Sequence, residues 1–502
     1  MNLARNLERS AFFFPFRPVI SEGGSETNFS QLNDRANRIA TALMSLGVNP
    51  GDNIALCAPN SGDWLAFYFG VLKAGAVAVT MSSLLKSSEL SFSVNESRPK
   101  VIYTYEDKLD DLKGMKGPGV LEKVICQGGD LDLNQLVNMG SGSFKAVERD
   151  RSDTAAVLFT GGTTGIPKGV LLSHENIYTA IQNVVFNERS NENDRALCFL
   201  PFNHVFGQMH IMNATILSGG CLELLSSFDM ERVLDLTSRG SVTKLFAVPT
   251  VYVRLLSIPN IKEKLGSVRY CFSAAAIMAA EIVRQWKEHT GLSIYEAYGM
   301  TESASMVTFN HYYRHVVGSV GTPVSGEEVQ IRDLEGNIVG TGEEGEICIR
   351  GRNIMKGYLN KAEETEAVFW DEWFRSGDIG LIDDDGYLYI VDRLKDMIIT
   401  GGENVYPSEV EEVLYSLPEV QECTVIGLPD KEWGERVTAL IIPKSGAAID
   451  TKKISSHLKS KLSPFKVPKE YQIVDEFPKS PAGKILKREL RKQYLENGQN
   501  HM

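Results

Sequence analysis

The sequence predicts an α/β protein. A large N-terminal domain of parallel βα sheets with a β-rich subdomain is followed by a small mobile α+β C-terminal domain. Three observations carry this prediction. Short apolar runs rich in β-branched or aromatic residues, at 100–105, 155–159 and 244–248, alternate with helical patterns such as 29–46 and 279–288; that alternation marks βα units on parallel sheets. From about Val316 to Val391 the pattern changes to short strands and Gly-rich turns, as at 345–351 and 383–390. After Asp392 a charged segment leads into new helix and strand patterns at 408–417, 422–426, 437–442 and 454–462. The expected organisation is therefore an N-terminal domain over 1–392, a boundary segment over 393–396 and a C-terminal domain over 397–502. No internal repeat, low-complexity tract or heptad run interrupts it.

Composition excludes several functions. At 502 residues and 43% hydrophobic content the chain can bury a large core, with a prior of roughly two to four domains. The apolar stretch from Trp64 to Met81 is cut by Lys73 and by glycines at 70 and 75, so it reads as core and not as a membrane span. No cleavage pattern follows the apolar run near the N-terminus, and a cytoplasmic location is expected. Seven scattered cysteines without CxxC spacing argue against a disulfide framework or a zinc site and read as buried thiols. The net charge of −12 disfavours a general nucleic-acid binder. Yet between Thr451 and Lys492, 12 Lys or Arg stand against 4 Asp or Glu. That local excess is either a solvated helical surface or a lid that closes on phosphates.

A strand at 155–159 runs into Leu158-Phe-Thr-Gly-Gly-Thr-Thr-Gly-Ile-Pro-Lys-Gly169. Glycines let backbone N–H groups approach oxygens, hydroxyls add donors, and Lys168 supplies a mobile positive charge, so such a loop suits phosphates. Taken alone, an ordinary Gly-rich turn would also explain it. It is not a Walker A loop, because no Gly-Lys-Ser/Thr occurs. The stretch closely resembles the phosphate loop of the adenylate-forming superfamily of acyl-CoA synthetases, peptide-synthetase adenylation domains and luciferases. The resemblance continues in family order through Pro201 to Gly207, Phe272 to Met278, Tyr298-Gly-Met-Thr-Glu302, Gly345 to Gly351, Arg375-Ser-Gly-Asp378, Asp392 to Ile399, Gly401 to Pro407 and Pro478 to Lys484.

The resemblance implies an AMP-forming acyl-CoA ligase. A carboxylic acid and ATP give an acyl adenylate and pyrophosphate, and coenzyme A then takes the acyl group. It also implies a role for each motif. Thr160, Gly161, Gly162, Thr163, Thr164, Gly165 and Lys168 would hold ATP phosphates. Ala275, Ala276, Tyr298, Gly299 and Met300 would surround adenine, and Thr301 would donate to the α-phosphate. Glu302 would ligate Mg²⁺, for which a hard carboxylate oxygen suits. Asp378 and Arg393 would take the ribose. Lys484 would bridge carboxylate and phosphate oxygens. His204, Ala274, Ala275 and Met300 would border the acyl pocket, and their small or flexible neighbours fit an apolar acid. Lys395 stands at the family's hinge, and Gly401 and Gly402 would replace Lys484 at the site for thioester formation, with the basic excess holding coenzyme A phosphates.

The chain departs from the family pattern at Gly161, where Ser is usual, at Ser376, where Thr is usual, and in the loop Ser273-Ala-Ala-Ala-Ile-Met278, which is usually Gly-rich with a Pro. The pocket floor, and with it the acid, is left open. A carrier-protein phosphopantetheine arm as acceptor, and net ATP formation in reverse, are open alternatives. The partners implied are small molecules, without nucleic acid or integral membrane association, and a homodimer is compatible with them.

Overall fold

The computed structural model describes residues 1–117, 119–160, 167–333, 335–480, 483 and 485–499. Two seven-stranded sheets make up the larger part of the chain. In one, strands Lys123–Ile125, Val101–Thr104, Asn53–Cys57, Val77–Thr80 and Thr154–Thr160 run parallel, and Lys168–Ser173 and Gly357–Tyr358 add antiparallel strands at one edge. In the other, Ile294–Glu296, Tyr270–Ser273, Lys244–Ala247, Arg195–Cys198, Cys221–Leu224 and Pro18–Glu22 are all parallel. The strands are short, apolar and buried on both faces, as parallel sheets covered by helices require.

Helix boundaries follow local chemistry. Helix Phe29–Ser45 starts on Asn28, whose side chain accepts from Gln31 N while Gln31 reciprocates. Helix Gly62–Lys73 starts on Ser61 and is apolar nearly all round, so it is buried from Trp64 onward. Lys73 at its end is fully buried and pairs with Glu8 Oε1 at 2.7 Å. The stretch read as core from its interrupted pattern is core. No helix among the described residues is long and apolar enough to cross a membrane.

Beyond residue 316 the chain becomes β-rich. A five-stranded antiparallel sheet holds Glu327–Arg332, Gly345–Gly351, Trp373–Ile382, Phe369–Trp370 and Leu388–Arg393. Another five-stranded sheet combines Glu403–Val405, Ile398–Thr400, Gly434–Pro443, Val420–Asp430 and Glu470–Ile473. It has its own apolar core, built on Val405, Val410, Leu414, Val425, Ala439, Ile454 and Leu458. The fold is thus mixed α/β, with parallel sheets, a β-rich portion and an α+β C-terminal portion, as the sequence predicts.

All seven cysteines are free and buried, as expected. Burial pushes the thiols of Cys57, Cys271 and Cys348 up to about 12.

Candidate active site

The parallel strands Tyr270–Ser273 and Ile294–Glu296 lie in register with Ser273 opposite Glu296. Their continuations, Ala274 to Ala276 and Ala297 to Glu302, therefore leave the same carboxyl edge of one sheet, the edge where open α/β sheets place ligands. Ala275 is in the left-handed region, φ +72°, although it carries a Cβ. That conformation costs roughly 1–2 kcal/mol relative to glycine and holds the loop in a turn. Ala276 and Ile277 are exposed at its tip. The turn then passes Gly299, where a Cβ would stand 1.9 Å from the Ser305 carbonyl oxygen, so only glycine fits.

Asp378 is the centre of the first cluster. Strands Trp373–Ile382 and Leu388–Arg393 pair with Asp378 opposite Arg393, and Arg393 Nε lies 3.1 Å from Asp378 Oδ1. Tyr298 donates its hydroxyl to Asp378 Oδ2 at 2.8 Å. A carboxylate has about four lone-pair positions, so Asp378 keeps acceptor capacity beyond these two partners. Tyr298 and Asp378 are buried, and Ser376 Oγ accepts from Asp378 N at 3.0 Å. Tyr298, Asp378 and Arg393, predicted from separate motifs with Tyr298 80 and 95 residues from the other two, thus form one unit.

Glu302 forms a second cluster, with residues that sequence reasoning missed. Tyr358 donates its hydroxyl to Glu302 Oε1 at 3.0 Å. Strand Gly357–Tyr358 pairs with Lys168–Ser173, which brings Tyr358 beside the strand that follows the Gly-rich segment. Lys168 Nζ sits 4.8 Å above the Tyr358 ring and 2.6 Å from Glu364 Oε2. Lys168, read from the sequence as a mobile charge, is paired here with Glu364. Thr301 and Glu302 stand in a one-turn 3₁₀ segment, Thr301–Ser303. Gly161, Gly162, Thr163, Thr164 and Gly165 lie outside the described residues, as does Lys484; Thr160 ends the strand before them.

Burial raises the Glu302 carboxyl above its ordinary range, and the Tyr358 hydrogen bond and the Arg393 charge pull it part of the way back. Tyr358→Phe removes a donor to the ionised form, so the carboxyl rises further. The expected result is an acid limb of the rate of pyrophosphate release displaced to higher pH in the variant. A profile that coincides with that of the parent would show that Glu302 does not titrate in this step.

His204 begins a tightly held segment. Asn60 accepts from Phe202 N at 2.9 Å and donates to Leu200 O at 2.8 Å, and Gln208 donates to Phe202 O at 2.6 Å. His204 Nδ1 accepts from Phe206 N at 3.2 Å. Residues Phe206–Asn213 are wound as a π-helix, a rare form that sequence periodicity does not reveal. Phe206 and His210, from that segment, meet Phe246 and Phe272 in an aromatic wall. His210 Nε2 is 2.6 Å from Glu188 Oε1, and its Nδ1 is 3.2 Å from Ser305 Oγ. Ala274 and Met300 pack on the edge of the same core.

Glu296, two residues before Tyr298, was also missed; a single carboxyl in Ser-Ile-Tyr-Glu-Ala-Tyr was its only signal. Burial pushes it up to about 8, and Oε2 finds no partner among the described residues. Its folded value lies above the unfolded one. Stability is therefore complete below about pH 4.5 and falls as pH rises towards 8, by on the order of a few kcal/mol. Glu296→Gln is expected to lose this component, so its melting temperature varies less between pH 5 and 8. Parallel melting curves against pH would sink the assignment.

In the C-terminal portion, Gly401 and Gly402 form the exposed turn between Ile398–Thr400 and Glu403–Val405, at φ +60° and +85°. They lie beside Trp433, whose carbonyl accepts from Gly401 N at 2.7 Å. The local basic excess is less free than its count suggested. Lys466 pairs with Glu409, Lys479 with Glu422, Lys487 with Glu411 and Arg491 with Glu435. These pairs lie within the C-terminal portion, and Arg491–Glu435 among them ties its last helix to its sheet. Lys395 is exposed in the turn after Arg393.

Among the described residues no cluster of three His, Cys, Asp or Glu could by itself hold a metal. Glu302 alone still fits Mg²⁺, which binds through one or two carboxylates while substrate phosphates and water complete its shell.

The α/β fold, with Asp378 and Glu302 each in a hydrogen-bonded cluster and an α+β C-terminal portion, is that of an AMP-binding enzyme. The AMP-binding enzyme family model matches residues 5–359 and the AMP-binding enzyme C-terminal domain model matches 409–484, and the chain belongs to this adenylate-forming family. It is 34% identical over 496 residues to a feruloyl-CoA synthase of Amycolatopsis sp, covering 97% of this chain and 98% of that one. It is 32% identical over 528 residues to a long-chain-fatty-acid–CoA ligase of Bacillus subtilis (strain 168), covering 98% and 94%. Among solved structures it is similar to ATP-bound MatB from Rhodopseudomonas palustris, with TM-score 0.92, 33% identity and coverage of 98% and 99%. It is also similar to the anthranilate CoA ligase AuaEII in complex with anthranoyl-AMP, with TM-score 0.93, 30% identity and coverage of 98% and 97%.

Proposed function

We propose that this chain is an AMP-forming acyl-CoA ligase acting on an apolar monocarboxylic acid, fatty or aromatic. The observation that carries the reading is the convergence of Tyr298, Asp378 and Arg393 into one hydrogen-bonded unit near Glu302. Relatives named as CoA ligases support the reaction class. The aromatic wall of Phe206, Phe246 and Phe272 supports an apolar acyl group. Two anions, a carboxylate and a triphosphate, must be brought together. Asp378 would orient the nucleotide through its ribose, and Lys168 and Lys484 would offset the charge. Magnesium, when bound on Glu302, supplies further charge neutralisation at the phosphates.

The residues 393–396 would be the pivot. Arg393 is fixed to Asp378, and Leu394 N still donates to Gly377 O at 3.0 Å, whereas Ile398 already belongs to the C-terminal sheet. Rotation there would exchange Lys484 for the Gly401–Gly402 turn. A cytoplasmic location, where ATP and coenzyme A are at hand, goes with this reading, and a homodimer is open to a sizing experiment.

With Mg·ATP and a panel of fatty and aromatic acids, purified protein is expected to release AMP and pyrophosphate. Acyl-CoA should form when coenzyme A is added. ADP and an acyl phosphate as products would overturn the adenylate mechanism. Turnover of an acyl carrier protein at a greater rate than coenzyme A would assign the other acceptor.

A further inference from the structure

The N-terminal helix Arg5–Phe13 buries Asn6, Leu7 and Ser10 and leaves an aromatic cluster exposed at its end. Phe12, Phe13 and Phe16 are 78%, 59% and 87% exposed. Phe12 and Phe13 meet edge to face at 5.2 Å, and Phe14, between Phe13 and Phe16 in sequence, turns inward onto Gly219. Nothing in the nucleotide chemistry uses these rings.

The charges around them are mostly of one sign. Arg9 stacks over the Phe13 ring at 5.4 Å while reaching the Leu217 carbonyl, and Arg17 next to Phe16 reaches the Glu192 carbonyl and Asn193. Arg5 is shared with Glu148 at the far end of the helix. The one acid in the helix, Glu8, is turned inward onto buried Lys73 and Ala146 N. From Arg9 to Ser21 there are two arginines and no acidic residue, in a chain of net charge −12.

From this juxtaposition we infer that the Phe12–Phe13–Phe16 cluster with Arg9 and Arg17 is a docking surface for an anionic phospholipid membrane. At roughly 200 Å² per ring, the exposed fractions sum to on the order of 450 Å². That falls well short of the ~800 Å² per partner that a stable dimer buries. It suits a shallow wedge in the headgroup region, where aromatic rings sit at the interface and neighbouring arginines meet lipid phosphates. Neither signal alone holds a protein to a bilayer, and the two together give reversible binding that weakens with salt. Such docking would place the enzyme at a surface where poorly soluble acids are concentrated. It holds whichever acid the active site accepts.

The test is co-sedimentation with phosphatidylcholine vesicles and with 3:1 phosphatidylcholine:phosphatidylglycerol vesicles at 50 and 300 mM NaCl. The parent protein is expected to bind the anionic vesicles at low salt at least tenfold more tightly than the neutral ones. Phe12→Ser/Phe13→Ser/Phe16→Ser should lose that binding, with pyrophosphate release on a short soluble acid unchanged as the check on folding. A second variant, Phe12→Trp, adds an indole whose emission should shift to shorter wavelength with anionic vesicles only. Failure of the parent to bind, equal binding to both vesicle types, or binding untouched by the triple substitution would each overturn the inference. So would a dimer in light scattering that the triple substitution abolishes while vesicle binding is absent.

Discussion

Lys484→Ala is expected to slow acyl-adenylate formation by ~10²- to 10³-fold, the loss that follows removal of one charge-stabilising donor. Thioester formation from a pre-made acyl adenylate should survive. The neighbouring Gly483 gives the structural reason. Its carbonyl lies 3.5 Å from Thr250 Oγ1, at the start of the helix that follows strand Lys244–Ala247. That strand lies beside Tyr270–Ser273, whose continuation is the Ala274–Ala276 loop. Gly483 is therefore beside the sheet whose edge carries Tyr298 and Glu302. The approach is close: a Cβ on Gly483, at φ +82°, would stand 2.9 Å from Val248 Cγ2. The two half-reactions are measured separately, by pyrophosphate release and by thioester yield. An equal fall in both would sink the assignment of Lys484 to adenylation.

The second large effect is expected at the pivot. Lys395→Pro fixes φ near −65° and removes a backbone donor in the turn where a rotation must change its dihedrals. Thioester formation should fall by ~10-fold or more while adenylation is largely retained, the size being that of a rate limited by domain motion. The turn is held on one side by Arg393 and Leu394 and on the other by strand Ile398–Thr400. Asp392 ties the two sides, its Oδ2 accepting from Ser408 N at 2.9 Å. A melting curve excludes unfolding, and a folded variant that makes thioester at the parent rate would refute rotation at Lys395.

How legible the chain was depended on the kind of signal. The parallel strands read out directly, because burial on both faces leaves uninterrupted apolar runs such as those at 101–104 and 244–247. Tyr298, Glu302, Asp378 and Arg393 were singled out because each sits in a motif that resembles the family's, and the structure adds the contacts that join Tyr298, Asp378 and Arg393. Tyr358 and Glu364 were not. Their partners, Glu302 and Lys168, are 56 and 196 residues away in sequence, and only the edge pairing of Gly357–Tyr358 on Lys168–Ser173 brings them together. The same limit applied to the basic excess after Thr451. Its count was correct, but ion pairs to Glu409, Glu411, Glu422 and Glu435 involve residues from before the segment. The π-helix at Phe206–Asn213 was hidden because its register differs from the 3.6-residue period by which helices are read.

The burial of all seven cysteines bears on how the chain coexists with its own acceptor. Coenzyme A carries a free thiol, and its oxidised disulfide form exchanges with a protein only where an accessible protein thiolate can attack it and release the second coenzyme A thiolate. Here every sulfur is enclosed and the high thiol values keep it protonated, so mixed disulfides between cofactor and enzyme are disfavoured twice over, by access and by ionisation. Cells exposed to oxidants would change the supply of reduced coenzyme A without capping the enzyme that consumes it. Its output would then follow the acceptor pool rather than the redox state of its own side chains.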